Sequence, residues 1–118
     1  MIKFTKYTAS KEIIKALSPG ACKVLLLLIQ NNNLHGNNAI MFRNNNNPVT
    51  QRYIAETLGV SKSRISKIYS ELENMGVIAR GKFNDKNCYY LNPDIAMTKA
   101  ELTTEDMENM PIFKEKKV

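Results

Sequence analysis

Residues 50–75 read TQRYIAETLGVSKSRISKIYSELENM, and their pattern decides the fold. Thr50 precedes a helix-forming stretch and is placed to cap its first free N–H groups. Tyr53, Ile54 and Leu58 recur at helical spacing and are expected to face inward. Gly59 follows, a residue that accepts a left-handed backbone and so ends a helix. Ser61 then caps a second helix, expected to run to about Met75. Ile65, Ile68, Tyr69, Leu72 and Met75 form its apolar stripe, and Gly76 ends it. Ala55 is small where the two helices must cross closely. Val60 fills the angle between them, and Ile65 docks the second helix on the first. These spacings predict a helix-turn-helix, with the second helix pushed outward.

The outward face of that second helix has a definite chemistry. Ser61, Lys62, Ser63, Arg64, Ser66, Lys67 and Ser70 carry short hydroxyls or long cations, and none is acidic. Glu71 and Glu73 fall toward the far end. A helix fits the major groove of duplex DNA, where its first turns meet base edges, and its N-terminus favours phosphate. A solvated helix in an ordinary bundle would not require the Ala–Gly–Val–Ser spacing of the turn. A protein-binding module would tolerate acids on this face.

Two short strands are expected next, Val77–Arg80 and Cys88–Leu91, joined by a loop from Gly81 to Asn87. Asn92-Pro93 stops the second strand. A hairpin directly after a helix-turn-helix is the winged-helix arrangement. Lys82 and Lys86, with Asn84 and Asn87, suit phosphate or minor-groove contact, and Asp85 must then point aside. The fold class expected is α+β, mainly α: a winged helix-turn-helix with a short β-hairpin wing.

Upstream, Thr8–Leu17 reads as an amphipathic helix capped by Ser10, with Ile13, Ile14 and Leu17 as its apolar stripe. Ser18-Pro19 opens another helix to about Asn31. Its run Val24–Ile29 is apolar nearly all round and predicts the central buried helix. Asn31–Asn38 is a turn region, and Ala39–Arg43 is a short strand candidate. Asn44–Pro48 is a polar loop. Downstream, Thr103 or Thr104 caps a short acidic helix that Pro111 breaks, and Phe113–Val118 is expected to fray.

Composition excludes several function classes. The chain has 118 residues, enough for one core. Its longest apolar run is six residues, far short of the ~20 that span a bilayer. The first residues lack the apolar stretch of a signal peptide, so a cytoplasmic protein is expected, away from membranes. Cys22 and Cys88 are read as two buried free thiols in a reducing compartment. His35 is the only histidine and sits in an Asn-rich turn, so neither a metal site, a cofactor site nor a catalytic constellation is expected. Tyr53, Tyr69, Tyr89 and Tyr90 read as core or interface aromatics. The chain carries 17 Lys and Arg against 11 Asp and Glu, net +6. Residues 1–93 hold 13 of those bases and five of the acids; residues 94–118 hold four bases and six acids. The positive field therefore lies in the first 93 residues, and a polyanion is its natural partner.

Residues 18–78 look like the winged helix-turn-helix of many bacterial regulators. From about Phe4 to Met97 the layout resembles the RepL-type replication initiators of Gram-positive plasmids. The stretches that carry the likeness are LSPGACKVLLLLIQ, TQRYIAETLGVSKSRISKIYSELENMGVI and YYLNPDIAM. The resemblance implies that Thr50, Gln51 and Arg52 open the first motif helix at the DNA and that Ser61 to Lys67 open the recognition helix. It also implies a plasmid or phage replication initiator, with a transcriptional regulator as the alternative role.

The expected organisation is a DNA-binding domain at residues 1–97, with an N-terminal helical extension, and an acidic tail at 98–118. The expected partners are double-stranded DNA, a second copy of the chain, and replication or transcription machinery. The second copy would pair through the Thr8–Leu17 helix or through the tail, where Ile95, Met97, Leu102, Met107 and Met110 are spare apolar residues.

Overall fold

The computed structural model describes residues 6–7, 11–31, 38–42, 47–83, 85–97, 108 and 110–113. Their elements follow in the order β1 (Lys6–Tyr7), α1 (Lys11–Ala16), α2 (Pro19–Gln30), α3 (Gln51–Leu58), α4 (Lys62–Asn74), β2 (Ile78–Phe83), β3 (Lys86–Leu91) and β4 (Ala96–Met97). Four helices and an antiparallel hairpin make a small α+β winged helix with a β-hairpin wing.

Local sequence sets the helix ends. Ser18, Thr50 and Ser61 each hold an extended backbone, and each side-chain oxygen accepts an N–H of the following first turn. Gly59 adopts φ 68°, the left-handed state that closes α3 and turns the chain sharply into α4. Alanine there would be strained by its backbone rather than by lack of room, for no atom lies within 4 Å of the added Cβ.

The main core forms where the four helices and the hairpin meet. Ile13 from α1 and Leu17 just beyond it, Val24, Leu25, Leu28 and Ile29 from α2, and Ile54 and Ala55 from α3 are buried in it. So are Ile65, Ile68, Tyr69 and Leu72 from α4, with Ile78, Leu91 and Ile95 from the sheet and the turn beyond. Met75 and Leu58 pack at its margin.

Three apolar positions depart from the expected pattern. Ile14 is 54% exposed and Leu26 63% exposed, because α1 and α2 are each covered on one side only. Tyr53 is 38% exposed: its ring leans edge-on against Phe42, with centroids 4.7 Å apart, instead of entering the core. Cys22 is likewise half-buried, whereas Cys88 is buried.

The wing departs more. Its strands reach further than the sequence pattern suggests, with Lys82 paired to Asn87 and Phe83 to Lys86. Only residues 84 and 85 connect them. The expected loop Gly81–Asn87 is thus mostly ladder, because Asp85 turns with φ 63°, a state short polar side chains tolerate. Asp85 is exposed at the tip.

The strand expected at Ala39–Arg43 is realised as isolated bridges, Ala39 to Tyr90 and Met41 to Pro48. Asn38 anchors it. Its backbone is left-handed at φ 62°, its Nδ2 donates to the Leu91 carbonyl at 2.8 Å, and its own carbonyl accepts from Leu91 N. The pairing of β1 with β4 was not read from sequence, since two-residue strands carry no pattern. Phe113, expected to fray, is half-buried against the back of the wing sheet. Thr8, Ser10, His35, Arg43, Asn44–Asn46, Leu102–Thr104, Met107 and residues 114–118 lie outside the described residues.

Burial pushes the Cys88 thiol from its ordinary value of 9.0 up to about 11. The buried Tyr90 hydroxyl rises to about 12, chiefly by burial and secondarily through Cys88. Both groups are neutral when protonated, so the folded state resists losing these protons and the unfolded chain does not. Their contribution is full below about pH 9 and is lost as pH rises through the folded values. Urea unfolding between about pH 8 and pH 11 is expected to show falling stability. Cys88→Ala should move the onset of that fall upward; an identical fall in both proteins would contradict this assignment.

Candidate nucleic-acid interface

Helix α4 has one stripe to bury and one face to present. Ile65, Ile68, Tyr69 and Leu72 fill the stripe. Ser63, Ser66, Lys67 and Ser70 lie away from it, Lys62 stands at the N-terminal end of the helix, and all five are exposed. Thirteen residues at about 1.5 Å each give a rod of roughly 20 Å, and B-DNA's major groove, about 12 Å wide, accepts such a rod. Ser61 Oγ accepts from Arg64 N at 3.2 Å and lies 3.3 Å from Ser63 Oγ. The cap therefore organises the first turn while the side chains beyond it stay open. Arg64 is exposed too but sits on the flank, where it lines a hollow with Lys23, Gly20 and Val60. Lys23, absent from the sequence-based set, brings a second cation to that flank.

The acids of α4 are engaged elsewhere. Glu71 reaches the start of α2: its Oε2 accepts from Ser18 N at 2.7 Å and its Oε1 from Ser18 Oγ at 2.8 Å. This carboxylate neutralises a helix N-terminus and ties α4 to α2 along the flank that also carries Arg64, two turns earlier. Glu73 accepts from Arg80 Nε at 2.9 Å. That carboxylate holds the Arg80 guanidinium above its ordinary range, and the same group stands 5.9 Å over the Tyr89 ring. Arg80 shares a strand face with Lys82 two residues on. Strand alternation would have signalled it, had the strand been extended past Arg80.

The residues expected to open α3 at the DNA divide. Thr50 is exposed and spends its hydroxyl on the cap, accepting from Tyr53 N at 3.1 Å. Gln51 turns inward and donates to the Tyr89 hydroxyl at 3.0 Å, joining α3 to the wing. Arg52 points outward in a surface pair with Glu56 at 3.0 Å, a geometry of small energetic weight. On the wing, Lys82 and Asn87 are exposed, and Lys86 donates to Asn47 Oδ1 at 2.8 Å. Asn84 lies outside the described residues. Beneath the wing, Tyr69 and Tyr89 meet edge to face at 4.9 Å. Burial and the neighbouring Tyr89 push the Tyr69 hydroxyl well above its usual range.

The open helix face, the steep turn before it and the hairpin after it define one module. Residues 44–79 match the family model for winged helix-turn-helix DNA-binding. The match spans the turn, both motif helices and the first residues of the wing. The chain matches none of the curated proteins and none of the solved structures. Among the described residues no helix is long and apolar enough to cross a membrane, and no group of three or more His, Cys, Asp or Glu is placed to hold a metal ion.

The Glu71–Ser18 contact fixes how α4 is presented, and its loss should be measurable. Glu71→Ala is expected to cost about 1–2 kcal/mol in urea unfolding. Glu71→Gln, which keeps one acceptor, should lose less. An unchanged unfolding midpoint for the alanine variant would show that the contact contributes nothing.

Proposed function

We propose that this chain is a non-catalytic, sequence-specific double-stranded DNA-binding protein that initiates plasmid or phage replication in the manner of the RepL-type initiators. One observation carries the DNA reading: every exposed side chain on the first turns of α4 is a hydroxyl or a cation, while both acids of that helix are bound to other groups. Ser63, Ser66, Lys67 and Ser70 are assigned to base edges in the major groove. Ser61 and Lys62 lie at the groove entrance. Arg64, with Lys23, is assigned to the phosphates along its edge. Thr50 and Arg52 face the backbone at the start of α3, and Gln51 acts indirectly by fixing Tyr89. Lys82, Asn84 and Lys86 of the wing take the neighbouring backbone or minor groove. Lys86 must exchange its Asn47 partner for phosphate to do so.

The replication role is supported by the likeness of LSPGACKVLLLLIQ and YYLNPDIAM to those initiators. Winged helices of this size also serve as transcriptional regulators, and the surface chemistry at the DNA is the same for both. The binding unit is taken as residues 1–97, with 98–118 as an acidic tail. Exposed Ile14 and Leu26 support pairing of two copies on an inverted repeat, with half-sites about 10 base pairs or a multiple apart. Footprinting across the chain's own locus, with sedimentation of the complex, tests this reading. Protection of an inverted repeat inside an origin by two copies is the expected result. Protection over a promoter would assign the regulator role, and one copy on an asymmetric site would exclude the dimer.

Side-chain replacement separates the two contact types. Lys67→Ala is expected to weaken specific binding by about 1–3 kcal/mol and to relax preference at one base pair. Replacing both Lys82 and Lys86 with alanine should weaken all duplexes alike and flatten the slope of log affinity against log salt by up to about two units. Unchanged affinity and preference for Lys67→Ala would remove α4 from the groove. An unchanged salt slope would remove the wing from the phosphates.

A further inference from the structure

The wing sheet has a second side that the DNA reading does not use. Ala39, Met41, Cys88 and Tyr90 are buried there in a cluster separate from the main core. Phe83, Met110 and Phe113 pack against it. Met110 and Phe113 come from well beyond the hairpin in sequence, so a returning segment covers the back of the wing.

That approach is close. A Cβ placed on Gly81 would stand 2.9 Å from the Tyr90 ring and 3.3 Å from Pro111 Cδ. Only glycine at position 81 lets the ring and the proline lie against the strand together. The Tyr90 hydroxyl donates to the Lys82 carbonyl at 2.9 Å. One ring therefore touches the covering segment at its edge and holds the backbone of a wing lysine at its tip. A two-stranded hairpin is marginal by itself in water. Here its base is steadied by the bridge from Ala39 to Tyr90. Its outer half, from Gly81 to Cys88, pairs with no third strand among the described residues.

We propose that residues 110–113 are a strap that holds the wing in its DNA-binding conformation, with Met110 and Phe113 as positioning residues. They touch no DNA and act through Lys82 and Lys86. The proposal rests on the DNA-binding reading above. Ile112 lies in the same strap but is 96% exposed, which makes it the internal control.

The test is a thermodynamic cycle on the full chain. Met110→Ala with Phe113→Ala, and Ile112→Ala separately, are placed on the native background and on a Lys82→Ala, Lys86→Ala background. Affinity for a random-sequence duplex is measured across a salt series. On the native background the strap variant is expected to lose about fivefold in affinity and to show a shallower salt slope. On the lysine-free wing it should lose nothing more, and Ile112→Ala should match its parent on both. Phe113→Leu, which keeps apolar volume, should fall between native and the double variant, and it carries the test if the double variant does not fold. An equal loss on both backgrounds would mean general destabilisation and would overturn the proposal, as would no loss at all. Amide hydrogen exchange of β2 and β3 reads the strap without DNA. Faster exchange in the strap variant supports it, and unchanged exchange overturns it even if the native chain binds no duplex, an outcome that would separately sink the DNA reading.

Discussion

Everything in this molecule depends on α4 being held by one narrow stripe. Ile65, Ile68, Tyr69 and Leu72 are the side chains it buries, and each full burial of this kind is worth about 1.5–3 kcal/mol. Because the stripe is narrow, Ser63, Ser66, Lys67 and Ser70 stay exposed. Glu71 adds a polar tie to Ser18 at the edge of the same side, and the left-handed turn at Gly59 sets the angle of approach. The packing that stabilises the fold and the surface proposed to meet DNA are two faces of one helix. A substitution on one face is therefore separable from the other, so binding can be altered without unfolding the protein.

The wing extends this division into the sheet. One face carries Tyr89 and Arg80, linked to Tyr69, Gln51 and Glu73 of the helices. The other carries Cys88 and Tyr90, covered from elsewhere in the chain. Strand alternation places these sets on opposite sides, so the hairpin belongs to two clusters at once. The polar links are short and local, but they connect elements far apart in sequence. Gln51 and Tyr89 are 38 positions apart, and Ser18 and Glu71 are 53.

What the sequence shows and what it hides follow the range of the physics involved. Thr50, Gly59 and Ser61 are legible because a cap is settled within three residues by a hydroxyl, an N–H and a backbone angle. The stripe of α4 is legible because helical spacing is regular. Tyr53, Ile14 and Leu26 misled because periodicity locates an apolar face without saying whether another element covers it. The wing strands run further than their sequence pattern suggests. Arg80, Lys82 and Asn87 are polar on a strand whose outward face meets solvent, and Gly81 resembles a turn although its role is to admit the Tyr90 ring. The two-residue pairing of β1 with β4 and the packing of Phe113 are long-range contacts with no local signature. At the interface, the residue types on α4 were legible from the helical spacing. The flank position of Arg64 beside Lys23 and the inward turn of Gln51 depend on neighbours that only the folded chain brings together.

The central claim is that α4 reads DNA from the major groove. Chemical protection of a bound site by methylation tests it directly, since guanine N7 lies in the major groove and adenine N3 in the minor groove. Protection of guanine N7 at the centre of each half-site, lost in a chain carrying Lys67→Ala, is the expected result. Protection confined to adenine N3, with every guanine N7 as reactive as in free DNA, would contradict the account.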